Sequence, residues 1–135
     1  MKSVLLVFLM CYIIAGLTIA PFHGDEADHL YMARDYVTYF VIGAPERLRV
    51  DPPVAIDSEA HIRLLGGTLS AYLTGLLLWQ SGYRDLENWH PLWYYPDDVA
   101  TNRAAGRYPA FDVLWRGRFA SAFLTGGCVW LLAAL

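Results

Sequence analysis

The chain has 135 residues and a formal net charge of −3; it is 56% hydrophobic and 15% aromatic, and only 17% of it is charged. Soluble domains are typically about 45–50% apolar and about 25% charged, so this chain is neither disordered nor fibrous, and it lacks the basic surface that a nucleic-acid partner demands. Its two cysteines, Cys11 and Cys128, lie in apolar runs near opposite ends without neighbouring ligand spacing, and so suggest neither a disulfide framework nor a zinc site.

Residues 3–20 carry no charged side chain, and Lys2 precedes them while Pro21 follows. That length suits a spanning helix, and the lysine places the N-terminus inside by the positive-inside tendency. Residues 1–20 are therefore predicted as transmembrane helix 1, a signal-anchor. The same layout also describes a cleavable signal peptide; Pro21, directly after the small residue Ala20, and the long apolar core favour the uncleaved anchor.

Residues 21–114 are predicted as an external loop, on the periplasmic or luminal side. Within 25–41, Leu30, Ala33, Val37, Phe40 and Val41 recur at spacings of three and four, which predicts an amphipathic helix with Asp28, Arg34 and Asp35 on its polar side. Gly43, Pro45, Pro52 and Pro53 then impose a loop. Residues 63–79 are apolar again and contain three glycines. They suit either a third span or an interfacial helix flanked by Arg63 and Tyr83, and the interfacial reading is preferred. Residues 82–118 are rich in Trp, Tyr, Pro and Asp, as in an ordered loop at a membrane surface, with a short helix over 97–105 and aromatic anchors over 89–95.

Residues 115–135 are predicted as transmembrane helix 2. Arg116 and Arg118 precede an uncharged run, Trp115 and Phe119 fall at the interface, and Ala120, Ser121, Ala122, Gly126 and Gly127 suit close helix contact in lipid. No polar residue follows Leu135 in the sequence, so the helix reads as cut within a longer protein; a terminal anchor is the other reading. The expected fold is an all-α membrane protein, with two transmembrane helices joined by a long external loop bearing amphipathic interfacial helices. Such a protein resides in the cell membrane or an endomembrane.

Chemistry concentrates in two places. His23, Asp25, Glu26, Asp28 and His29 follow the first helix at once. Asp25 suits an N-cap, with Asp28 imitating a capping box and acidic residues offsetting the helix dipole. The functional reading rests on location, because a carboxylate shielded beside a membrane becomes a better general base or metal ligand. Asp57, Glu59, His61 and Arg63 form the second group; it reads as a solvated helix start, or as Glu59 and His61 completing a divalent-cation site with the first group. Arg107, Arg116 and Arg118 offer planar forks for a phosphate, although arginines at a membrane edge are commonplace.

A spanning helix followed directly by His23-Gly24-Asp25-Glu26-Ala27, and an amphipathic stretch ending in Ala33-Arg34-Asp35-Tyr36-Val37, resembles the start of the GT-C glycosyltransferases. The similarity is to the protein O-mannosyltransferase and aminoarabinose-transferase-like branch. It extends over essentially the whole chain, but a His-Pro-Pro or Lys-Pro-Pro element of that branch is replaced here by His61-Ile62-Arg63. The resemblance implies the N-terminal part of an enzyme that moves a sugar from a polyprenyl-phosphate carrier to an acceptor hydroxyl. It further implies that Asp25 is the catalytic base, that Glu26 positions it or assists a cation, and that Arg107 or Arg118 holds the leaving phosphate. Membrane lipid and the carrier-linked sugar are the implied partners. The competing expectation is a small non-catalytic tether whose acidic, aromatic loop binds a partner or a cation.

Overall fold

The computed structural model describes residues 2–56, 58–84 and 90–135, and all regular structure among them is helical. Helix α1 (Lys2–Ile19) carries no charged residue after Lys2 and ends as the chain reaches Pro21, which has no backbone N–H to continue it. Helix α2 (Gly24–Met32) starts almost at once, turning by 102° relative to α1. Its first turn is fixed by His23, whose Nδ1 accepts the N–H of Asp25 at 3.3 Å while Glu26 Oε2 accepts the N–H of His23 at 3.0 Å. The cap is thus His23 with Glu26, where Asp25 with Asp28 was expected; the helix begins two residues earlier than that cap requires, and both aspartates are released from capping.

The amphipathic stretch continues beyond α2 through a single turn, α3 (Arg34–Tyr36), into a π-helical turn at Val37–Ile42 that Gly43 ends at φ +71°. Its apolar side builds the core: Leu30, Ala33 and Val37 pack against Leu78 and Leu114 from two later helices. The polar side does not face water as expected. Asp28 and Asp35 are buried, each compensated by hydrogen bonds from chain segments far away in sequence.

The apolar run 63–79 is two helices. Helix α4 (Glu59–Leu65), capped by Ser58, and helix α5 (Thr68–Gln80) meet at Gly66-Gly67 with a bend of 108°. Helix α5 lies across α2 and α3 at Gly75, where backbones come so close that an added Cβ would sit 2.1 Å from the carbonyl oxygen of Ala33. Helix α6 (Val99–Ala104), capped by Asp98, falls within the predicted 97–105.

Helix α7 (Phe111–Ala134) starts four residues before the expected 115 and is the one helix among the described residues long and apolar enough to cross a membrane by itself. Its 24 residues extend about 36 Å, against a hydrocarbon core of about 30 Å. It packs along α1, with the Cα of Gly126 against the thioether of Met10, and its first turns close over α2 and α5. Arg118 locks this junction: Nη1 donates to the carbonyls of Leu17 and Ala20, Nη2 to that of Pro21, and Nε and Nη2 to Glu26 at 2.7 and 3.0 Å. One guanidinium therefore satisfies a last-turn carbonyl of α1 and two carbonyls of the connection after it, and fixes the first turn of α2 through Glu26.

Candidate functional site

Asp25 lies on the wall of a cleft of about 630 Å³ just past the end of α1. Asp28 and His29 from α2, His61 from α4, and Tyr95 and Arg107 from the later loop line the same cleft. The loop is held by Asn102, which is fully buried on α6. Its Nδ2 donates to the carbonyls of Tyr94, Asp97 and Asp98, while its Oδ1 accepts the N–H of Tyr94. Trp93 rests on Gly24, where any Cβ would collide with the indole, and packs against Phe22 at 5.2 Å between ring centroids. Aromatic contacts and one buried amide thus seat the loop on the first turn of α2.

Two carboxylates converge on one hydroxyl there. Tyr95 Oη is hydrogen-bonded to Asp25 Oδ1 and lies 3.0 Å from Asp28 Oδ2, while Asp28 Oδ1 accepts the N–H of Trp93 at 3.1 Å. Burial pushes the Asp28 carboxyl above its ordinary range, against the opposing hydrogen bonds from Tyr95 and Trp93. Burial also raises the Tyr95 hydroxyl, reinforced by both aspartates, so Tyr95 remains protonated. Asp25 itself is 61% exposed, so its carboxylate is open to water where the sequence predicts a shielded one.

The other expected residues divide between separate surroundings. Glu26 and Arg118 line an apolar groove of about 520 Å³ between α1 and α7 and are committed to each other. Arg107 stays on the wall of the Asp25 cleft, with Nη1 donating to Asp97 at 2.9 Å. His61 reaches that cleft, but Glu59 points elsewhere: it is ion-paired with Arg34, accepts from Arg63 Nη2 at 2.6 Å and accepts from Tyr31 at 2.7 Å. Burial works against its charge, yet the hydrogen bonds from Arg34, Tyr31 and Arg63 outweigh it and hold the Glu59 carboxyl at about 2. Arg63 completes the network with a bidentate bond to Asp35, at 2.7 and 2.9 Å. A carboxylate already neutralised by two guanidinium groups is a poor cation ligand. Among the described residues no group of three His, Cys, Asp or Glu side chains is placed to hold a metal ion. Asp57 and Trp89 lie outside the described residues.

Sequence reasoning missed Tyr95 and Asn102. A signal existed for Asn102, which stands one helical turn after the capping Asp98. Tyr95 had none, because its partners are 67 and 70 positions away. Comparison with protein-family models, with curated proteins and with solved structures finds no match.

Proposed function

We propose that the chain is the N-terminal part of a GT-C-type membrane glycosyltransferase, in which Asp25 deprotonates an acceptor hydroxyl that attacks a sugar carried on a polyprenyl phosphate. One observation carries the reading: Asp25 stands on the wall of a cleft large enough for a sugar, six residues past the end of an apolar helix, with its carboxylate held by Tyr95. A neutral hydroxyl is a weak nucleophile, so a base at this position serves the reaction. The acceptor oxygen bonds to the anomeric carbon with inversion, its proton passes to Asp25, and the bond to the carrier phosphate breaks. Glu26, held by Arg118 and the N–H of His23, is a positioning group for its neighbour. Arg107 shares the cleft with Asp25 and is the better placed arginine to receive the leaving phosphate; Arg118 is engaged at the helix junction.

In this reading α1 and α7 both cross the membrane, the N-terminus lies inside, and the cleft opens outside. Helix α5, about 20 Å long, is too short to span and lies with α4 along the interface, where the exposed Leu64, Leu65 and Leu69 meet lipid. The test uses the protein expressed from its whole reading frame, in proteoliposomes with labelled polyprenyl-phosphate mannose and a lipid or peptide hydroxyl acceptor. Transfer by the wild type and a loss of about 100-fold or more in Asp25→Asn is the expected result. Undiminished transfer by Asp25→Asn overturns the assignment, and absence of transfer in the wild type with this and the aminoarabinose donor leaves the tether as the better reading.

A further inference from the structure

We propose that Tyr95 is a positioning residue for Asp25, bridging the exposed base to the buried Asp28 so that one carboxylate oxygen is tied and the other faces the acceptor. This inference rests on the glycosyltransferase reading above. Three groups from two parts of the chain make the bridge: Asp25 in the first turn of α2, Asp28 one turn further on, and Tyr95 on the loop seated by Trp93 and Asn102. Tyr95 Oη carries one proton for two carboxylates. Desolvation disfavours charge on the buried carboxyl and raises it above its ordinary range, against the hydrogen bonds from Tyr95 and Trp93. Tyr95 Oη donates to Asp25 Oδ1 and lies 3.0 Å from Asp28 Oδ2, a second acceptor, while Asp28 Oδ1 is held by the N–H of Trp93.

The remaining oxygen, Asp25 Oδ2, lies 3.3 Å from His23 Nδ1, but that nitrogen is turned to accept the backbone N–H of Asp25. Oδ2 is therefore left to accept a proton from a bound hydroxyl. The groups around the bridge are His23 and His29 beside it on the α2 side, His61 from α4, and Tyr94 and Arg107 from the loop. None of them occupies the Tyr95 hydroxyl in the contacts described above. Orientation of this kind acts on the chemical step more than on binding, and a misplacement of about 1 Å costs on the order of 100-fold in rate.

Two measurements on the full protein test the proposal. In the transfer assay, Tyr95→Phe is expected to lower kcat by about 10- to 100-fold while KM stays within about twofold. An unchanged kcat, or a raised KM with kcat retained, overturns the positioning role. Tyr95 is 53% exposed, so loss of its hydroxyl leaves the packing intact, and a helical circular dichroism melt checks this. The second measurement needs no activity: with tyrosine labelled at Cζ with carbon-13, the Tyr95 signal is identified by its absence in Tyr95→Phe. It is expected to shift in both Asp25→Asn and Asp28→Asn, and a shift in neither or only one overturns the bridge. Retained transfer by Asp25→Asn overturns the general-base reading itself, whereas an inactive Asp25→Asn beside a fully active Tyr95→Phe overturns only the role of Tyr95.

Discussion

Glu59 and Asp28 are both partly withdrawn from water, and their neighbours decide opposite outcomes. Glu59 faces two guanidinium groups and sits at about 2, below its ordinary 4.5. Its charge therefore stabilises the fold above about pH 4.5, and that contribution is lost as pH falls toward 2. With the side chain 36% exposed, solvent screening reduces the effect to about 1–2 kcal/mol. Acid titration of the melting temperature should show this loss, and Glu59→Gln should flatten the curve over the same interval. Asp28 faces no guanidinium in its hydrogen bonds and burial raises its carboxyl, so its contribution has the opposite sense: it is complete below its ordinary value and lost as pH rises through the raised one. Asp28→Asn removes the desolvated charge yet keeps an oxygen for the Trp93 N–H. A thermal melt at pH 7 is expected to show it as stable as the wild type or more so, and a clear drop in melting temperature would contradict the electrostatic account.

Between elements, two glycines in close contacts make a contrast that packing decides. A methyl at Gly75 would meet backbone, 2.1 Å from the Ala33 oxygen and 2.5 Å from Tyr36 Cβ, with α3 unable to yield. A methyl at Gly126 would meet only the end of the Met10 side chain, at 2.4 Å, which swings aside. Gly75→Ala should therefore cost about 1–3 kcal/mol in thermal or denaturant unfolding, and Gly126→Ala well under half of that. Helix identities were legible because apolar spacing and length announce them; the direction of α4 against α5 was not. Hydropathy runs unbroken across Gly66-Gly67; the glycine pair marks a break, but nothing in residues 63–79 records that the axis turns by 108° there. The burial of Asp35 was equally hidden, because its compensating Arg63 lies 28 positions away and pairing across such distances leaves no local pattern.

For the molecule as a whole, the position of α4 and α5 decides whether the cleft stays on one side of the membrane. Asp51→Cys and Ala105→Cys lie on exposed segments before and after the pair, and can be introduced with Cys11 and Cys128 replaced by alanine. Labelling of both positions on intact cells by an impermeant thiol reagent is the expected outcome; protection of Ala105→Cys alone would mean that the α4–α5 pair crosses. The acidic pair at the end of α1 was readable from its place in the sequence, but the cleft was not, since it is assembled from residues 25 to 107 by contacts that only the folded chain brings together. Arg118 carries a similar dependence into time. It stands 92 positions after Glu26, an interval that a ribosome takes about 5–20 seconds to translate. Until it has been made, the end of α1 lacks its clamp and Glu26 its counter-charge. The opening motif of the chain is thus synthesised well before the arginine that completes it, and a nascent protein stalled before α7 would carry the acidic pair without the junction that fixes its geometry.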